Sequence, residues 1–192
     1  MRRAGFIAIM VTPDSASDQT LAGPGKGFGK DAVARTAELV AASGISSGWF
    51  FLLGGPGETE ATADETVSFI EEHLAGSRVL SVVTTGVRVL PGSPLERLAL
   101  AEGFLAPDDD FARPCFYVSP HVSERWLLER VNRAIRSHPG IVHAAEEGEN
   151  LASRLYFAAL RRLGHAPPYW RFLPRLLAFP PMRAVRGRQV EF

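Results

Sequence analysis

One cysteine, Cys115, is all the thiol chemistry this sequence offers. An intrachain disulfide is excluded, and so is a metal or iron–sulfur site built only from cysteines of one chain. Long apolar runs are missing as well, since none reaches the ~18 residues of a membrane-spanning helix. The N-terminus lacks the pattern of a secretory signal. Met1-Arg2-Arg3 leads into a short apolar run that stops at Thr12-Pro13-Asp14. With neither feature, the expected compartment is the cytoplasm. Net charge is also lacking, because 21 basic and 21 acidic residues balance. That argues against a globally basic nucleic-acid binder, so no nucleic-acid partner is expected. No internal repeat is seen. What is plentiful is apolar side chain, 46% of 192 residues, which is enough for a core and too much for a disordered chain.

The balance hides an asymmetry. Between Leu151 and Phe192 eight arginines face the single acid Glu191, a net +7, which leaves −7 for residues 1–150. An acidic body can hold a basic tail, or the tail can meet an anionic surface.

Strand and helix patterns alternate three times. Phe6 to Val11 and Trp49 to Leu53 are short apolar runs, read as buried strands. Val79 to Val83 begins a third, which runs on or resumes through Val87 to Leu90. Between them, Asp31 to Ser43 carries a helical stripe ended by Gly44. Thr62 to Glu65 has a capping-box pattern, with Val67, Ile70 and Leu74 following and Gly76 closing the helix. Ser93 and Pro94 open a short helix that ends at Glu102. Strands apolar on both faces and alternating with helices predict parallel β/α units, too few for a closed eight-stranded barrel. Asp108 to Phe116 reads as loop. Ser123 to Ser137 and Leu151 to Leu163 read as amphipathic helices, and the end, rich in Pro and Arg, as irregular or a peripheral helix.

In such architectures ligands bind at the carboxyl ends of the strands. Those ends are Thr12 to Ser15, Gly54 to Thr59 and the stretch around Arg88 to Ser93. Glycines after a strand let a ligand approach the backbone closely, although a Gly-Gly-Pro-Gly turn is explained equally well as a tight connection. Other features carry less. Gly23 to Lys30 resembles a phosphate loop but has Asp31 where Ser or Thr is needed. His138 and His143, near Glu146, Glu147 and Glu149, read as a solvated loop rather than a metal site. Asp108-Asp109-Asp110 reads as a solvated turn and Cys115 as a small buried residue. Tyr156, Phe157, Tyr169, Trp170 and Phe172 read as packing.

An ordered set of segments then stands out: Gly5-Phe6, Thr12 to Asp18 with Leu21 and Lys26-Gly27, Gly44-Ile45, Phe50 to Thr59, Arg88 to Leu95, and Glu102-Gly103. Together they resemble the C-terminal half of the radical S-adenosylmethionine (SAM) domain, over about residues 1–120. The likeness is to the group that often carries an N-terminal cobalamin-binding domain. The resemblance implies an α/β fold: the last three β/α units of a partial (β/α)6 barrel in residues 1–120, then a helical, basic extension in residues 121–192. It places Asp14 and Ser15 where fourth-strand polar residues meet the ribose or amino-acid part of SAM. Gly54, Gly55, Pro56, Gly57 and Glu58 match the fifth-strand motif that supports the adenine and shapes the site. Val87, Arg88 and Val89 match the sixth-strand segment whose backbone lies by the adenine. The family more commonly has Glu at position 14, so Asp14 reaches less far.

The departure is the CxxxCxxC loop that holds the family's [4Fe–4S] cluster. Nothing here matches it, and no metal-ligating residue is assigned. The first three strands have no counterpart either, so the expectation is a chain that begins just before strand four, with Met1 an internal methionine or a misplaced start. The implied function is the C-terminal portion of a radical SAM enzyme, holding part of the SAM site and inactive alone; no catalytic residue is assigned. The complete enzyme would use SAM, a [4Fe–4S] cluster and, in this group, cobalamin. The expected partners are the missing N-terminal barrel half or a cobalamin domain, and an unknown small-molecule substrate. The other function open to these residues is a non-catalytic β/α binding module, whose basic aromatic tail docks on a partner or an anionic membrane. Two further expectations concern association. The Phe6 to Val11 strand is an apolar edge that favours self-association. The tail packs on the body or a missing domain, or binds anionic lipid.

Overall fold

A computed structural model describes residues 1–23, 25–106, 111, 113–144 and 151–178. The chain runs β1 (Ala8–Asp14), α1 (Asp18–Ala22), α2 (Lys30–Ser43), β2 (Ser46–Leu53), α3 (Glu60–His73), β3 (Val79–Thr85), β4 (Val87–Val89), α4 (Pro94–Ala101), β5 (Cys115–Tyr117), α5 (Glu124–Ser137), β6 (Ile141–His143), α6 (Leu151–Arg162) and α7 (Leu173–Ala178). Four strands form a parallel sheet in the order β1-β2-β3-β6, and β4 pairs antiparallel with β5. This is the α/β architecture of a partial barrel.

Strand alternation sets the two faces. Trp49, Phe51 and Leu53 of β2 are fully buried and share the main core with Val33 and Ala37 of α2, Val67 and Ile70 of α3, and Leu127 and Val131 of α5. Gly48, Phe50 and Leu52 therefore take the opposite face. There a short 3-10 turn, Tyr169–Phe172, lies against β2 and β3, and α7 lies against β3. A Cβ on Gly48 would stand 3.4 Å from the Trp170 ring, so the bare strand backbone seats the indole. Within the basic tail, residues 169–178 thus pack on the sheet; Arg183, Arg186 and Arg188 lie outside the described residues.

Local chemistry explains the helix ends. Ser93 Oγ accepts from Glu96 N at 3.1 Å with Pro94 in the first turn of α4, and Gly44 (φ 65°) ends α2 in the left-handed conformation. Between α3 and α5, the buried Arg130 donates to Asp64 at 2.5 Å, Glu71 at 2.8 Å and Ser68 at 3.3 Å.

Several expectations change. A fourth parallel strand, β6, extends the sheet beyond the three units read from the sequence, and it lies past residue 120. His143 belongs to it and not to a solvated loop. Its Nε2 is 3.1 Å from Thr85 Oγ1, and burial holds its pKa below the ordinary value. Cys115 and Phe116 are in strand β5, because Val87–Val89 needs a pairing partner. The capping box of α3 is Thr59 with Thr62, three residues earlier than expected. Thr62 N donates to Thr59 Oγ1 and Thr59 N to Thr62 Oγ1, a Thr doing what Glu usually does at that position. That helix ends at His73, before Gly76. β1 begins at Ala8 and continues through Pro13, so its edge does contain a proline. The expected turn at Asp108-Asp109-Asp110 and the residues Glu146, Glu147 and Glu149 lie outside the described residues.

Candidate functional site

At the carboxyl end of the sheet lies a pocket of about 600 Å³, within the range of small-molecule sites. Three successive strand ends build it. Asp14 and Ser15 come from the end of β1, Gly55 and Pro56 from the turn after β2, and Val87 and Arg88 from β4, the continuation of β3. Of the residues expected at a site, these six meet in one cavity.

The first corner is held by side chains that look inward. Asp14 is the one non-glycine residue with positive φ among the described residues, at 68°. A short polar side chain tolerates that conformation better than most. Its carboxylate pairs with Lys26, delivered by the glycine-rich loop that looked like a phosphate loop. Ser15 is buried. Its hydroxyl lies 2.9 Å from Thr66 Oγ1 of α3 and accepts from Ser17 N at 3.0 Å, which fixes the turn.

The second corner depends on Gly54 and Glu58, and neither lines the pocket. Gly54 has φ 87°, and a Cβ there would stand 3.3 Å from Val118 and 3.4 Å from Leu127. Only glycine fits that backbone and that space. Glu58 is fully buried. One carboxylate oxygen accepts from Gly54 N and from Gly55 N, the latter at 3.2 Å. The other, Oε1, has no partner among the described residues. Burial raises the Glu58 pKa to about 7, against the two amides, which lower it. Its role is to brace the turn, while Ser119 Oγ donates to its carbonyl at 2.8 Å. Gly57 is also outside the pocket.

The third wall is β4 with α4. Val87 and Arg88 face the cavity, whereas Val89 is buried in a small second core with Ala99, Leu105 and Tyr117. Tyr117 OH donates to Glu102 at 2.6 Å, so β5 and α4 are tied together behind the wall; burial, then Glu102, pushes the phenol's pKa up. Sequence reasoning missed Thr20, Leu52 and Leu98 as lining residues. The signal was present for Leu98, one helical turn after Leu95 on α4. Thr20 Oγ1 is buried and has no partner among the described residues.

The groups implied for the family can be tested on these residues. SAM fits: the cavity has room, a carboxylate at its rim, a backbone turn open at Gly55 and an orphaned hydroxyl at Thr20. A [4Fe–4S] cluster does not fit. Cys115 alone, half-buried in β5, is not a ligand set. Among the described residues no group of three or more His, Cys, Asp and Glu could hold a metal ion. No described helix is long and apolar enough to cross a membrane.

No family model and no curated protein matches the sequence. Among solved structures, the chain is similar to TsrM from Kitasatospora setae, a radical S-adenosylmethionine methyltransferase with cobalamin and a [4Fe–4S] cluster bound. The TM-score is 0.64 at 17% identity, covering 93% of this chain and 40% of that one. It is also similar to Elp3 from the archaeon Methanocaldococcus infernus, with residues 1–46 deleted, at TM-score 0.49 and 12% identity over 84% of this chain and 37% of that one. The chain thus spans about two fifths of the length of the solved structures it matches. Its fold is that of a part of a radical SAM protein, the fold its ordered motifs implied.

Proposed function

We propose that this chain is a portion of a radical SAM enzyme and contributes the wall of the SAM site built from three successive strand ends. The observation that carries the reading is the meeting of Asp14, Gly55 and Arg88, each from a different motif of the resemblance, in one cavity at the carboxyl end of a parallel sheet. SAM, when bound to a reduced cluster, supplies the radical chemistry of such enzymes. Toward the cofactor, this chain's residues would bind and orient: Asp14 and Thr20 offer polar contacts, and the Gly55-Pro56 turn offers an open backbone. The cluster ligands and any cobalamin site belong to another segment or partner. That partner would meet the sheet at β1, an edge strand on which Met10 is 60% exposed.

The test is calorimetric titration of the chain with S-adenosylhomocysteine. Saturable binding that Asp14→Ala and Gly55→Val each weaken is expected. Absence of binding at millimolar ligand, with the fold intact by circular dichroism, overturns the reading.

A further inference from the structure

We infer that the α4 side of the pocket takes a second moiety, an apolar body carrying an oxyanion, received by Arg88. This deepens the reading just given, because it divides the same cavity and names the class of molecule that would lie beside the cofactor.

The argument is one of charge against an apolar wall. Two charged residues line the pocket, Asp14 and Arg88. Asp14 is already paired with Lys26. Arg88 is solvent-exposed and has no counter-ion among the described residues. Its backbone is not free to wander, because β4 is paired with β5 and Arg88 stands opposite Phe116. Leu90, Leu95 and Leu98 line the same pocket, as does Leu21. Ser93 Oγ, also in the lining, already accepts from Glu96 N in capping α4. A ligand rich in hydroxyls or amides would leave those groups unpaired against leucine, which is costly. An apolar body loses nothing there. A guanidinium with no counter-ion offers parallel N–H donors that match a carboxylate or a phosphate in pairs. One uncompensated planar cation on an apolar wall therefore selects an amphiphilic oxyanion.

The experiment uses the whole 192-residue chain and two fluorescent probes of similar shape. One is anionic, 1-anilinonaphthalene-8-sulfonate; the other is uncharged, N-phenyl-1-naphthylamine. The anionic probe is expected to bind more tightly. Arg88→Gln should weaken it roughly tenfold, the loss of about one charge-assisted hydrogen bond, and leave the neutral probe unchanged. Arg88→Lys should restore part of the difference. Octanoate and octyl phosphate should displace the anionic probe and octanol should not; the better displacer distinguishes carboxylate from phosphate. Equal affinity for both probes, or an anionic probe indifferent to Arg88→Gln, overturns the inference. S-adenosylhomocysteine binding is followed separately on the unsubstituted chain. If it is absent while the probe depends on Arg88, the SAM reading fails and this one stands. If it is present while the probe ignores Arg88, only this one fails.

Discussion

At the scale of single residues, the site is shaped by groups that do not line the pocket. Glu58 shows it best. In the folded chain it keeps its proton up to about pH 7, and in the unfolded chain it ionises at its ordinary value of 4.5. Between those values the folded state binds more protons, so stability from this group falls as pH rises through that window and levels off above it. Glu58→Gln keeps an acceptor for Gly54 N and Gly55 N and removes the titration. Relative to the variant, the parent chain is expected to lose up to about 3 kcal/mol between pH 5 and 8. Chemical denaturation at both pH values measures it; parallel pH dependence of the two proteins would show that Glu58 ionises normally. The Gly54-Gly55 turn itself was legible in the sequence. The inward aim of Glu58 was not, because a carboxylate after a polar turn ordinarily points to water. Asp14 was legible as a strand-end polar residue, yet its left-handed backbone was not, since sequence patterns report faces and not dihedral angles.

At the scale of elements, the parallel units were legible because β2 and β3 carry short apolar segments bounded by turns. β6 escaped because Ile141-Val142-His143 is shorter than any run that periodicity can resolve. What holds α5 against α3, and so sets the sheet's helical layer, is Arg130. Arg130→Ala leaves the half-exposed Asp64 and the partly buried Glu71 without their partner and is expected to cost about 1–3 kcal/mol. Arg130→Met, which keeps the packing volume, should cost less. Equilibrium unfolding of the two variants decides it, and equal small losses would make the clamp incidental. The tail makes a second, steric prediction. Gly48→Ala should be nearly neutral, because its Cβ meets the Trp170 ring at ordinary contact distance. Gly48→Leu should overpack that contact and cost about 1–3 kcal/mol, with loss of the near-ultraviolet dichroism from the indole.

At the scale of the whole molecule, the exposed edge of the sheet dominates. Among the described residues β1 pairs only with β2; Phe6 and Ile7 just before it and Met10 within it are 51%, 44% and 60% exposed. Pro13 and the irregular register between Val11 and Asp14 blunt one end of this edge and leave Ala8 to Val11 open. The isolated chain is expected to self-associate at micromolar concentration by light scattering, and Met10→Lys to reduce it. A monodisperse monomer would remove the edge as a docking surface. Anaerobic reconstitution with iron and sulfide should likewise give no stoichiometric cluster, because one thiol does not replace four. A full complement of iron with a reduced-state paramagnetic signal would require Cys115 to be shared between chains.

The seat of Trp170 on Gly48 also sets an order of events during synthesis. The indole and the strand it covers are separated by most of the chain. A ribosome therefore finishes β1, β2 and β3 well before it makes the residues that shield their second face. Until then Phe50 and its neighbours are wetted, and a nascent chain paused before residue 170 presents a bare apolar sheet to whatever chaperone is near. Truncations ending just before and just after the 169–178 segment should differ sharply in soluble yield, with the sheet complete in both.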